Sequence, residues 1–142
     1  FALGRAGTQT AALAFGGANL PGVPPKSETE TWNGTSWTEV ADLNTGIRGM
    51  ASGGTSTSAI SAGGGPPTTA ETETWNGSAW TEVADMNTAR NELMGGAAAD
   101  NTAALAFGGQ LPPGSVANTE TWNGSAWTEV NDLNTARRVL DG

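Results

Sequence analysis

Trp32-Asn33-Gly34-Thr35-Ser36-Trp37 lies in the middle of a stretch, Ser27 to Val40, that occurs three times in the chain. The second copy runs from Ala70 to Val83 and carries Trp75 and Trp80. The third runs from Asn118 to Val130 and carries Trp122 and Trp127. Each continues through an Asp-Leu/Met-Asn-Thr segment, as in Asp42-Leu43-Asn44-Thr45, and two of the three go on to Ala-Arg. The first Trp of each pair recurs after 43 and then 47 residues. Paired tryptophans are not kept through three copies in a disordered chain. A period of about 40–50 residues is that of repeat units built from four strands each.

Asn-Gly between alternating runs predicts a hairpin, with a type I′ turn placing both central residues at φ > 0. A two-residue loop sets Trp32 opposite Thr35 and Glu30 opposite Trp37, whereas a four-residue loop pairs Trp32 with Trp37. In both registers the two tryptophans share one sheet face, and Thr29, Thr31 and Thr38 take the other. Flat aromatics on one face pack one sheet against the next, so all six tryptophans are expected to be mostly buried. An exposed platform for sugar rings is the functional alternative. Asn33-Gly34-Thr35, Asn76-Gly77-Ser78 and Asn123-Gly124-Ser125 also match the N-glycosylation sequon, and the turn accounts for them without a sugar.

Composition narrows the function classes. Six basic residues against fourteen acidic ones give a net charge of −8. Such a surface repels phosphate backbones, so nucleic acid is not an expected partner. No run of about 18 apolar residues is present, so membrane insertion is not expected either. No segment at the start reads as a signal peptide, and Phe1 begins in mid-pattern. Cys, His and Tyr are absent. That excludes disulfides, thiolate and imidazole ligands, and a nucleophile–His pair. General acid–base work would fall to carboxylates or to Lys26. The expectation is therefore no metal, no cofactor and no catalysis. Leu, Ile, Val and Phe supply only 20 of 142 residues. With high net charge that proportion signals disorder, and the repeats instead imply a core of Trp, Ala, Thr and Gly.

A second block recurs with the first. Ala11-Ala12-Leu13-Ala14-Phe15-Gly16-Gly17 returns as Ala103 to Gly109, and more weakly as Ala59-Ile60-Ser61-Ala62-Gly63-Gly64. It reads as a short apolar strand whose diglycine end needs unusual φ or close backbone approach. The Lys and Ser/Thr of a phosphate-binding loop do not follow. In the first repeat the strands are expected near 1–7, 11–15, 28–32 and 35–40, here called a to d.

Together these features resemble kelch repeats, in which an apolar strand ends in Gly-Gly and is followed by a variable loop, an aromatic-ended strand, a turn, a Trp and an Arg. The matching positions are Gly16-Gly17, Trp32, Trp37 and Arg48, then Gly63-Gly64, Trp75, Trp80 and Arg90, then Gly108-Gly109, Trp122, Trp127 and Arg137. The chain departs from the pattern in using Trp where Tyr is usual, in a shorter hairpin, and in Ile47, read as inserted before Arg48. The resemblance implies an all-β fold, a β-propeller with three kelch-like four-stranded blades forming part of a ring. The blades fall at approximately 1–49, 50–92 and 93–139, and a fourth starts at 140–142, with Phe1, Met50, Leu93 and Leu140 at one phase. Propellers close with about four to eight blades, and three do not complete a ring. Either the array continues or copies join head to tail, two chains giving six blades, so the expected partners include further repeats or other copies.

The b–c loops, 18–26, 65–69 and 110–117, differ while the blades around them are near copies. Variation at one end of a repeat scaffold marks a binding surface, and unrestrained drift is the plainer account. The candidate binding face consists of Asn19, Lys26, Arg48, Thr68, Arg90, Gln110 and Arg137. The arginines have an alternative, pairing with Asp42, Asp85 and Asp132 or with a neighbouring blade's Glu. Near-identical, acidic, Cys-free arrays also resemble repeat-rich fibre-type structural proteins of marine bacteriophages. That resemblance implies a non-enzymatic fibre or appendage module, at the virion surface or extracellular, contacting host-surface glycan or protein. A bacterial surface adhesion propeller is one alternative. The propeller part of a larger carbohydrate-active enzyme is another, and its catalytic Tyr or His would have to lie outside this sequence.

Overall fold

The computed structural model describes residues 2–19, 22–97 and 99–139. Three four-stranded antiparallel sheets follow one another along the chain, and no helix occurs among the described residues. The first contains β1 (Gly4–Gly7), β2 (Ala12–Phe15), β3 (Thr29–Trp32) and β4 (Trp37–Glu39), in that spatial order. The second contains β5 (Ala51–Thr55), β6 (Ser58–Gly64), β7 (Thr69–Trp75) and β8 (Trp80–Val83). The third is built from β9 (Met94–Ala97), β10 (Ala104–Phe107), β13 (Thr119–Trp122) and β14 (Trp127–Val130). Between β10 and β13 the chain makes a small extra hairpin from β11 (Gln110–Leu111) and β12 (Gly114–Ser115). From the sequence, residues 110–117 are expected to be loop.

Each sheet is a plain meander, and its hairpin differs from the type I′ expectation. Trp32 pairs directly with Trp37, Trp75 with Trp80 and Trp122 with Trp127, so the connecting loop has four residues. Only its glycine lies at positive φ, +93° at Gly34. The asparagine acts through its side chain, because Asn33 Oδ1 accepts from the N–H groups of Thr35 and Ser36. Asn76 and Asn123 repeat this arrangement. An Asx-type turn therefore selects Asn here, in place of a left-handed backbone.

Side-chain alternation gives each sheet two unlike faces. One bears the Trp pair and a Glu; the other bears Thr and an apolar strand. The Trp face of the second sheet lies on the Thr face of the first. There Trp80 meets Phe15 edge-on at 4.7 Å, and its Nε1–H donates to Thr29 Oγ1 at 3.0 Å. Trp127 of the third sheet donates likewise to Thr72 Oγ1 of the second, also at 3.0 Å. Two cores result, one between each pair of neighbours. Leu13, Phe15, Ala59, Trp75 and Trp80 lie in the first; Ile60, Ala62, Ala106, Trp122 and Trp127 lie in the second. Small residues let the sheets approach closely. A Cβ on Gly53 would overlap the backbone nitrogen of Ala97.

This arrangement corrects the expectation for two tryptophans. Trp75, Trp80, Trp122 and Trp127 are buried, whereas Trp37 is 48% exposed and Trp32 only half-buried. Both belong to the first sheet, whose Trp face is covered by no other sheet among the described residues. The diglycine expectation holds. Gly63 and Gly64 lie at φ +65° and +110°, and a Cβ on Gly63 would meet Met86 Cε at 2.5 Å and the Arg90 carbonyl at 2.8 Å. Strand register also moves the repeat phase. Gly4, Ala51 and Met94 open equivalent strands, so Leu3 is the counterpart of Met50 and Leu93. Phe1 and the start of a fourth unit at 140–142 lie outside the described residues.

Trp80→Ala should lower stability by about 3–5 kcal/mol, the range for emptying a large aromatic site in a packed core. Urea unfolding followed by circular dichroism measures it. Asn76→Ala, which removes the acceptor of a solvent-exposed turn, should cost only about 0.5–1.5 kcal/mol in the same assay.

Candidate functional site

The groups that interlock the sheets sit where the Asp-Leu/Met-Asn-Thr segment leaves one sheet and touches the next. At the first junction Glu73 of β7 is buried and receives the backbone N–H and Nδ2 of Asn44 on Oε2, at 3.0 and 2.8 Å. The Thr45 N–H donates to Oε1 at 3.3 Å. At the second junction Glu120 of β13, fully buried, receives Asn87 on Oε2 at 2.7 and 2.9 Å and the Thr88 N–H on Oε1 at 3.3 Å. A buried carboxylate needs such donors to offset the loss of water. The second junction adds a cation. Arg90 Nη1 lies 2.6 Å from Glu120 Oε1 with both side chains fully buried, while Nη2 donates to the Ala106 carbonyl at 3.2 Å.

Arg90 therefore leaves the candidate binding face. Its guanidinium is 0% exposed and ties the second sheet to a glutamate of the third. The pairing chosen is with the neighbouring sheet's Glu. Asp42 and Asp132 instead accept the backbone N–H groups of Thr29 and Thr119 within their own sheets.

The backbone also corrects the reading of Ile47 as an insertion. The Gly17, Gly64 and Gly109 N–H groups bond the carbonyls of Ile47, Arg90 and Arg137 in turn. Ile47 thus occupies the arginine position of the first repeat and packs in its core. Arg48 corresponds to Asn91, since each forms a bridge to the segment after the neighbouring strand, Arg48 with Gly65 and Asn91 with Gln110.

The remaining candidate residues divide among separate surfaces. Arg48 lines a cleft of about 180 Å³ with Gly65, Pro66, Asn91 and Glu92, at the end where the variable loops emerge. Glu92 lies at φ +51°, a strained setting for a residue with a side chain. Nothing in the sequence marks Asn91 or Glu92, which vary between repeats. Asn19 and Lys26 line a different, acidic cleft with Glu28, Glu30 and Glu39 on the open face of the first sheet. Lys26 Nζ is 2.5 Å from Glu28 Oε1, and that hydrogen bond holds the Glu28 carboxyl below its usual range and raises the Lys26 ammonium above its own. Thr68 and Gln110 are half-buried, and Arg137 is exposed beside the third sheet. Among the described residues no three metal-ligating side chains converge. Nor is any helix among them long and apolar enough to cross a membrane.

The chain matches no family model and no curated protein. Among solved structures it is similar in fold to one described as "Structure of YjhT", at 16% identity with a TM-score of 0.73. The match covers 92% of this chain and 45% of that one, so the chain spans less than half its length.

Glu120→Gln strands the Arg90 guanidinium in the interior, and its expected cost is about 3–5 kcal/mol. Arg90→Ile recreates the first junction, where Glu73 is satisfied by Asn and Thr donors alone, and should cost less than half as much. Paired urea titrations of the two variants check the order.

Proposed function

We propose that the three sheets are successive blades of a kelch-like β-propeller, and that the chain is a non-enzymatic structural and binding module. On this reading it belongs to a virion-associated fibre or appendage, at the virion surface or in the extracellular space, and contacts host-surface glycan. One observation carries the proposal: the same Glu–Asn–Thr interlock joins both pairs of neighbouring sheets, while the variable segments emerge together at one end. A scaffold repeated at its junctions and varied at its loops is built to present those loops. The net charge of −8 favours a neutral or cationic ligand over a polyanion. The cleft lined by Arg48, Asn91 and Glu92 offers donors and acceptors of the kind that hydroxyl-rich sugars need.

Exchanging the segments 18–26, 65–69 and 110–117 among the repeats should change which glycans the protein retains on a glycan array. The thermal midpoint should remain within a few degrees of the parent. Retention of one unchanged glycan profile by every exchange variant would sink the binding reading, as would a glycan bound across the Asn-Gly hairpin end.

A further inference from the structure

Among the described residues, the first and third sheets each present half of a junction with its face uncovered. We propose that the open face of the first sheet is a socket for the open face of the third sheet of a second copy. Two copies then close on each other head to tail through two such contacts. This inference rests on the propeller reading above.

The occupied junctions identify the occupant. On the first sheet Ala14, Gly16, Lys26, Glu28 and Glu30 line an open cleft of about 280 Å³. Their counterparts on the second sheet are Ser61, Gly63, Thr69, Glu71 and Glu73, and they leave only about 10 Å³. The difference is that Thr45 and Ile47, from the segment trailing the first sheet, line and close that second cleft. The socket on the first sheet therefore has the shape and charge for an Asn-Thr-x-Arg/Ile segment. The third sheet ends in such a segment, Asn134-Thr135-Ala136-Arg137, and all four residues are exposed.

Chemistry matches shape at each remaining point. Glu30 holds the position of Glu73 and Glu120 but is exposed, and Arg137 holds the position of Arg90 and is exposed as well. Docking them forms the pair seen at 2.6 Å between Arg90 and Glu120. Trp37, 48% exposed, corresponds to Trp80 and Trp127, whose Nε1–H groups end on Thr29 and Thr72. The equivalent hydroxyl on the third sheet is that of Thr119. Beside it Met94, Leu105 and Val130 are exposed around Phe107, which stands where Phe15 receives Trp80. An unpaired apolar face of this kind is rare on a lone soluble unit.

Stoichiometry follows from closure. The contact is heterologous, one face to a different face, so copies add in one rotational direction until a ring closes or a filament grows. Rings of this class hold about four to eight sheets. With three four-stranded sheets in the 142-residue chain, two such chains give six and three overshoot.

Sedimentation of the 142-residue chain from low to high micromolar concentration should show a species of twice the 14.3 kDa mass. Glu30→Lys places a cation against Arg137, and Arg137→Glu places an anion against Glu30. Each variant alone should weaken the dimer about tenfold or more, as close like charges at a contact do. Mixing the two should restore the dimer, because one junction is then unchanged and the other has its charges exchanged. Acrylamide quenching of Trp37 should fall as the dimer forms. If either charge variant loses its β-sheet circular dichroism, Trp37→Ala replaces it, with the same expected loss of dimer. The proposal is overturned if the parent stays monomeric at every concentration, if each single variant dimerises as well as the parent, or if the mixture stays monomeric. An all-β monomer with cooperative unfolding would reject the docking and leave the propeller reading standing. A parent chain without β-sheet signal would reject the propeller reading itself.

Discussion

An indole buried on a sheet face must find a partner for its N–H, and that requirement organises this molecule. Trp80 and Trp127 each cross to the neighbouring sheet and donate to a threonine one repeat earlier in the chain. The bond fixes which faces meet and how far one sheet slides along the next. The glutamate beside each Trp pair then lies within reach of the Asn-Thr segment of the preceding sheet, where Glu73 and Glu120 are found. With few branched aliphatic side chains available, specificity comes from these polar bonds set among aromatic rings. The cores themselves combine Trp and Ala with Leu, Ile, Met and Phe, and not the Trp, Ala, Thr and Gly expected from composition.

Much of this was legible in the sequence, because period and alternation are properties of the backbone. The spacing of the tryptophan pairs gave the number of units, and Trp-Asn-Gly gave a hairpin with both rings on one face. The diglycines marked strand ends whose backbone no other residue adopts without strain. What stayed hidden depends on which surfaces meet. Burial of Trp75 and exposure of Trp37 cannot be separated by local pattern, since the two stretches are near copies. Only position in the array distinguishes them. Hairpin register was likewise open, because Asn serves both a left-handed turn and a side-chain-capped one.

The candidate site was less legible than the fold. Arg48 and Arg90 look equivalent by residue type, yet the carbonyls bonded by Gly17 and Gly64 place Ile47 at the arginine position. By residue identity Arg48 matches Arg90, one step out of phase with the backbone. Glu73 and Glu120 sit in Thr-Glu-Thr runs that read as ordinary solvated strand, and their burial follows from the Asn-Thr segment that covers them. The constant Asn-Thr after every Trp pair is the available signal.

Each junction draws on one side from the Trp pair and glutamate of a repeat, and on the other from the threonine and trailing Asn-Thr of the repeat before it. A single repeat thus carries both a plug and a matching socket. Energetics of this kind are local to neighbours, and each unit adds nearly the same increment to the whole. A tandem duplication in the coding sequence would then deliver a finished building block, already compatible with the units on either side. Gain or loss of a whole repeat then lengthens or shortens such an array without requiring a new interface.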